Sequence, residues 1–347
     1  MTDPIIRARG LTKRFRRATK QPGLRGALTH LVKPRYTTMT AVDGIDLEIG
    51  AGESVAYVGP NGAGKSTTVK LLTGILVPSE GEVVVCGISP WQHRIENSFN
   101  MGVVFGQPTQ LWWDIPVQES FRLLGDIYQI DSATFRRTFD DLVEVLDLQP
   151  LLTVPARQLS LGQRMRCDLA ASLVHSPPVL YLDEPSIGLD VSVKARFREF
   201  IRSMHRERGL TVMLTSHDIG DIEELCERMI MIDKGRIIYD GALNDITDRF
   251  GWERTLNLTL SEPTPDAAAS AVEALRDRTS IRVTQPSETS LSIAYDGRVV
   301  TSGELIRDLA THVPMADIDI QQPSAESIIR HLYEGTLRFD DQPDGAP

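Results

Sequence analysis

One segment limits what this chain can fold into more than any other: Gly59-Pro60-Asn61-Gly62-Ala63-Gly64-Lys65-Ser66. It has the form GxxxxGK[ST] and stands between an apolar run ending at Val58 and an apolar-periodic segment reaching Leu72. Glycines at these places let consecutive backbone N–H groups point into one concavity that accepts phosphate oxygens. A helix starting there, through Lys65, Ser66 and Thr67, adds its positive end. Lys65 is then placed to reach β- and γ-phosphates, and the Ser66 hydroxyl to hold Mg²⁺. The alternative is a plain glycine-rich turn, but the strand before it and the helix after it both argue for the phosphate loop.

A second motif answers the first. Val179-Leu180-Tyr181-Leu182 reads as a buried strand and ends in Asp183-Glu184. Carboxylates at the end of a parallel strand project toward the ligand crevice. Asp183 suits the holding of Mg²⁺, directly or through water. Glu184 suits the polarising of a water for attack on a γ-phosphate, a role worth roughly 10²–10⁴-fold. Alone, the pair would read as a solvated acidic turn; the phosphate loop upstream gives it chemistry.

The rest of the chain supports an α/β reading. Residues 1–14 and 41–58 read as strands with a long insertion between them. A helix to Leu72, a turn at Pro78–Gly81 and a strand near Cys86 follow, then a helical middle over 117–147. Strands at Val179–Leu182 and Thr211–Thr215 complete an alternation that implies a mostly parallel, covered sheet. The character changes near residue 250. A strand at Thr255–Leu260, an Ala-rich helix, strands at 280–285 and 290–295, a helix near 303–312 and a strand at 316–321 give β-α-β-β-α-β, a ferredoxin-like order. A helix over 324–334 closes it. The expected domains are 1–250, with a basic insertion at 16–40 and a helical part at 108–165, then 251–337, and a disordered tail at 338–347.

Composition removes some functions. A formal net charge of −10 argues against non-specific nucleic-acid binding. No stretch reads as a signal peptide or a membrane span, so any membrane role comes through a partner. Cys86, Cys167 and Cys226 fit no metal or redox spacing and read as buried thiols of a cytoplasmic protein.

Between the two motifs lies Leu159-Ser160-Leu161-Gly162-Gln163, which resembles the LSGGQ signature of the ATP-binding cassette (ABC) ATPases. The order of phosphate loop, Gln107, signature, acidic strand and His217 is similar too, over about residues 4–245. The resemblance implies that two cassettes sandwich two ATPs, the signature of one capping the nucleotide of the other. It implies that Gln107 contacts Mg²⁺ and senses the membrane partner. Ser160, Gly162 and Gln163 would serve the nucleotide across the dimer, and Asp190 in Gly188-Leu189-Asp190 would contact the opposite subunit. His217 would stabilise the γ-phosphate, with Glu184 as base. The implied partners are a second cassette, identical or not, and an integral membrane permease. The implied place is the cytoplasmic face of the plasma membrane.

The chain departs from the pattern in two places. Position 161 is Leu where the commonest signature has Gly; Ser160 and Gly162 remain, so activity is expected. The base-stacking aromatic is split between two cues. Phe15 follows Leu11-Thr12-Lys13-Arg14 as the family's stacking residue often does, whereas Tyr36 has the usual spacing to Ala41-Val42. Either ring can stack on a base.

Two segments are read both ways. Residues 11–35 carry Lys13, Arg14, Arg16, Arg17, Lys20, Arg25, Lys33 and Arg35 and no acid, with Leu24, Leu28, Leu31 and Val32 at helical spacing. They form either an amphipathic helix near an anionic leaflet or the permease, or a solvated basic loop. Trp112-Trp113 either anchors the permease interface or packs inside the helical part. The single cassette with a small C-terminal domain is similar to bacterial exporters with a separate permease, as are Gly102–Pro116 and the ending from Asp317 to Leu332. The alternatives are an importer cassette and a soluble ABC ATPase without a permease.

Overall fold

The computed structural model describes residues 3–18, 36–106, 109–250, 252–276, 278, 281–322 and 328. The chain divides into two compact units, Met1–Gly241 and Ala242–Pro347.

In chain order the first unit holds β1 (Ile6–Ala18), β2 (Tyr36–Ile49), β3 (Ser54–Val58), α1 (Lys65–Leu72), β4 (Glu80–Val85), α2 (Arg94–Phe99) and β5 (Met101–Phe105). There follow α3 (Val117–Ile127), α4 (Ser132–Val145), α5 (Leu161–Leu173), β6 (Val179–Asp183), α6 (Val191–Arg208), β7 (Thr211–Thr215), α7 (Ile219–Leu225), β8 (Arg228–Asp233) and β9 (Arg236–Ala242). The main sheet has six strands in the order β5-β6-β7-β3-β8-β9, and β5, β6, β7, β3 and β8 run parallel. Every residue of β3 and β7 is buried. That is why these strands read as continuous apolar runs: a parallel sheet is covered on both faces.

A smaller antiparallel sheet, β2-β1-β4, packs against it. Ile6, Leu11, Ile45 and Leu47 from this sheet share one core with Val55, Tyr57, Tyr181 and Ile230 of the main sheet and with Val69 and Leu72 of α1. Within that core the Tyr57 hydroxyl meets the Thr68 hydroxyl at 3.1 Å. The bond ties β3 to α1, so the phosphate loop is pinned at both ends.

The reading of 16–40 as an insertion between strands is corrected at its edges. The β1–β2 ladder continues through Phe15↔Met39, Arg16↔Thr38, Arg17↔Thr37 and Ala18↔Tyr36. Thr37, Thr38 and Thr40 are β-branched and suit a pleated ribbon, whatever the basic charge opposite them. The amphipathic stripe Leu24–Val32 lies outside the described residues. Strands β5, β8 and β9 and the helix α6 were not anticipated from the sequence.

The second unit holds α8 (Leu243–Phe250), β10 (Glu253–Leu260), α9 (Ala267–Ala274), β11 (Ile281–Ser287), β12 (Ser290–Asp296), α10 (Ser302–Leu309) and β13 (Met315–Gln321). Its sheet is antiparallel in the order β11-β12-β10-β13, the ferredoxin-like arrangement that the element order implies. Alternation in β10 buries Leu256, Leu258 and Leu260 with Ile293, Tyr295, Leu305 and Leu309. A capping box between Thr301 and Glu304 starts α10. Apart from Ile328, the expected helix at 324–334 and the tail lie outside the described residues. Among the described residues no helix is long and apolar enough to cross a membrane.

Candidate functional site

The loop between β3 and α1 leaves no room for a side chain at Gly59 or Gly64, whereas Gly62 stands in open space. At Gly64, with φ +118°, a Cβ would stand 2.4 Å from the Ala41 carbonyl oxygen. Only glycine takes both that conformation and that approach. Lys65, first residue of α1, folds over its own loop: its Nζ donates to the Gly59 carbonyl at 2.6 Å and lies 3.4 Å from the Pro60 oxygen. Burial lowers the pKa of this ammonium, against the opposing pull of Glu184 and Asp183.

The acidic end comes from β6. Asp183 Oδ1 accepts from the Thr215 hydroxyl at 2.6 Å and from the Ser66 hydroxyl at 3.4 Å. Glu184 follows with φ 54°, a left-handed conformation that costs a non-glycine residue about 1–3 kcal/mol. It is held there by its N–H, which donates to the Thr215 carbonyl at 2.9 Å. The turned backbone aims the carboxylate at His217. The His217 N–H donates to Glu184 Oε2 at 3.2 Å, and His217 Nε2 lies 3.2 Å from Oε1. The same Nε2 is 3.1 Å from Asn61 Oδ1 and 3.4 Å from Lys65 Nζ. Side chains from the ends of β3, β6 and β7, neighbours in the sheet, thus meet at one point, as expected at the carboxyl edge of a parallel sheet.

That point opens on a cavity of about 440 Å³, inside the roughly 300–1,000 Å³ range of small-ligand sites. The loop residues Pro60, Asn61, Gly62, Gly64, Lys65, Ser66 and Thr67 line it with Glu184 and His217. Phe15, Met39 and Ala41 line it as well. Tyr36 is not among the lining residues; its ring lies 5.6 Å from the Arg16 guanidinium. Gly59 and Ala63 complete the loop, and Ala63 is buried beneath it.

The signature residues do not line this cavity. Ser160 is the N-cap of α5, its hydroxyl accepting from the Gln163 N–H while Gln163 Oε1 accepts from the Ser160 N–H at 2.9 Å. Gly162 faces Leu189 and Val193. Leu161, the departure, reaches over Gly188, where a Cβ would stand 2.6 Å from its Cδ2. Asp190 caps α6; hydrogen bonds from the Val193 N–H and the Ser192 hydroxyl hold its carboxyl below the usual range. Gln107 lies outside the described residues. Trp112 and Trp113 are 39% and 49% exposed, and the Arg164 guanidinium sits 5.8 Å from the Trp113 ring. Trp113 therefore both packs within the chain and shows surface.

The Ser66 and Asp183 oxygens suit a hard divalent ion such as Mg²⁺, which takes its remaining ligands from phosphates and water. Among the described residues no group of three or more His, Cys, Asp or Glu side chains could hold a metal alone. Sequence reasoning missed Thr215, which holds both acidic residues. It also missed Asp168 on α5, whose Oδ1 accepts from the Thr109 hydroxyl and the Gln110 N–H, both at 2.8 Å.

Loop, lysine, strand-end carboxylates and parallel sheet together define a P-loop nucleoside triphosphatase. Residues 42–187 match the family model described as "ABC transporter". The daunorubicin resistance ATP-binding protein DrrA3 of Streptomyces coeruleorubidus is 30% identical over 299 residues, 86% of this chain and 92% of that protein. The Nod factor export ATP-binding protein I of Ralstonia nicotianae is 34% identical over 215 residues, 62% of this chain and 66% of that protein. In fold, the chain is similar to the ATP-binding cassette MJ0796, solved as a dimer in a post-hydrolysis state with ADP and Pi. The TM-score is 0.57 at 24% identity, over 68% of this chain and 98% of that one. The chain belongs to the ABC transporter ATP-binding proteins and is an ATP-hydrolysing cassette.

Proposed function

We propose that this cassette is the motor of an exporter, dimerising around two ATPs at the cytoplasmic face of the plasma membrane to drive a separate permease. The observation that carries the chemistry is the meeting of Lys65, Asn61, Glu184 and His217 at one cavity. Relatives named for drug resistance and for Nod factor export support the direction.

In this reading Phe15 stacks on the base while the loop N–H groups hold the phosphates. Lys65 leaves the Gly59 and Pro60 carbonyls for the γ-phosphate, which offers an ionic partner in place of dipoles. Glu184 takes the proton of the attacking water. His217, oriented by Glu184 and Asn61, donates to the γ-phosphate oxygen on which charge grows. Ser66 and Asp183, with Gln107, would hold Mg²⁺, which would supply positive charge against the charge of the phosphates. Ser160, Gly162 and Gln163 at the start of α5 cap the nucleotide of the second cassette, and Asp190 touches that cassette. The γ-phosphate binds the closed pair better than the open one, so ATP shifts the population toward closure and hydrolysis reverses it.

The test is capture of the full chain from gently solubilised membranes of its own cell, with mass spectrometry of stoichiometric partners. A polytopic membrane protein without an external binding protein is expected. A ribosome, DNA or a soluble complex would overturn the transport reading and leave the ATPase.

A further inference from the structure

We propose that Asp221 is a positioning residue that makes the segment after Glu184 and the segment carrying His217 move as one piece. The proposal rests on the reading of Glu184 and His217 as the catalytic pair.

Asp221 lies on α7 with 0% of its surface exposed. Its Oδ2 accepts from two hydroxyls, that of Ser186 and, at 3.2 Å, that of Ser216. Ser186 stands two places beyond Glu184 and leads into Gly188 and Asp190; Ser216 directly precedes His217. The other oxygen, Oδ1, accepts from Arg198 Nε at 2.6 Å. Arg198 comes from α6, the helix that Asp190 caps, and also donates to Asp218 at 3.2 Å and to Glu224 at 2.9 Å. Lys194, one turn earlier on α6, holds Asp218 at 2.5 Å. One buried carboxylate therefore bonds both segments that flank the catalytic side chains, and the helix that follows them.

The physics makes this a coupling rather than mere glue. A fully buried carboxylate is compensated only by the donors that reach it, so losing one is costly. If the 186–190 segment moved and the 216–217 segment did not, Oδ2 would lose one hydroxyl inside a dry site. Moving together keeps every bond. A displacement of Asp190, the residue read as touching the second cassette, then reaches His217 as a displacement and is not absorbed between them. Ser186 and Ser216 are far apart along the chain and belong to turns after different strands. Asp221 joins them beyond the direct bond from the Glu184 N–H to the Thr215 carbonyl.

The experiment measures steady-state ATPase of the full chain, together with bound nucleotide per cassette, for Asp221→Asn, Ser216→Ala, Ser216→Thr and Glu184→Gln. Asp221→Asn and Ser216→Ala are expected to lower kcat per bound nucleotide about tenfold, since small misplacements of catalytic groups have effects of this size. KM for ATP should stay within about twofold, because the phosphate loop is untouched. Ser216→Thr, which keeps the hydroxyl, should recover the rate. If Asp221→Asn fails to fold, Ser216→Ala carries the test, as it leaves the Arg198–Asp221 pair intact. Wild-type kcat per bound nucleotide in these variants, with only a lower melting temperature, would make Asp221 a fold element and overturn the proposal. Normal turnover in Glu184→Gln would remove the catalytic pair on which it rests. Lost turnover in Glu184→Gln beside wild-type kcat in Ser216→Ala would sink the Asp221 role alone.

Discussion

The His217 N–H donates to Glu184 Oε2 at 3.2 Å, while His217 Nε2 lies 3.2 Å from Oε1, a buried oxygen that makes no hydrogen bond. The backbone contact survives any change of the imidazole, so the two residues can be separated by substitution. Glu184→Gln keeps an amide oxygen for the His217 N–H but cannot take a proton. It should bind ATP as the wild type does and hydrolyse it about 10²–10⁴-fold more slowly. Phosphate release in a single turnover checks this; near-normal release would remove Glu184 from the base role.

Phe15 and Tyr36 are separated by geometry, not by sequence. Phe15 lines the cavity with the loop, while Tyr36 does not. Stacking of a base on an aromatic ring is worth about 1–3 kcal/mol. Phe15→Ala should therefore weaken nucleotide binding about tenfold or more, with kcat at saturation nearly kept, and Tyr36→Ala should leave affinity unchanged. Titration calorimetry with a non-hydrolysable ATP analogue reads both. Equal losses would mean that neither ring is the stacking partner by itself.

These outcomes reflect what a chain discloses along its length. The phosphate loop and Asp183-Glu184 are contiguous, and their chemistry is written in neighbouring residues. The ferredoxin-like unit was legible because its elements alternate with clear periods, as in Leu256, Leu258 and Leu260. The capping of α5 follows the Ser-x-x-Gln spacing of Ser160 and Gln163. What stayed hidden depends on partners far away in sequence. Thr215 serves Asp183, Asp221 serves Ser186, and Asp168 serves Thr109, and none of these threonines or carboxylates carries a local sign of it. The extension of β1 and β2 was hidden differently: the basic side chains of 13–17 drew attention to charge, while the strand signal lay in Thr37, Thr38 and Thr40 on the other side of the ribbon.

Leu161 and Gly188 form a matched pair. Gly188 has φ +75°, and a Cβ there would lie 2.6 Å from Leu161 Cδ2. Gly188→Ala thus meets two costs, a strained backbone and a clash, together about 2–6 kcal/mol. Adding Leu161→Ala removes the clash and leaves the strain. Urea denaturation should show the double variant more stable than the sum of the two single changes predicts. Strict additivity would show that the Leu161 side chain moves aside freely and does not confine the Gly188 turn.

Two buried groups should drive stability with pH in opposite directions. Burial pushes the His175 imidazole down to about 4, against its bond to the Met101 carbonyl; its ring stacks on Tyr128 at 3.9 Å. Unfolded, it titrates near 6.5, so between about pH 6.5 and 4 the unfolded chain binds the extra proton and stability falls as pH falls. Burial pushes the Asp168 carboxyl up to about 6, against the hydrogen bonds from Gln110 and Thr109. Here the folded chain binds the extra proton between about pH 6 and 4, so stability is greater at low pH and is lost as pH rises through 6. Each linkage is on the order of 3 kcal/mol over that window, and in the wild type they largely offset each other. Asp168→Asn keeps the acceptor oxygen and removes the titration; it should make acid loss steeper. His175→Phe keeps the stacking and removes the other titration; its stability should rise as pH falls from 6.5 to 4. Denaturant unfolding of the first unit across pH 4–7 measures the slopes. Parallel slopes in the wild type and both variants would show that neither group titrates differently in the folded chain.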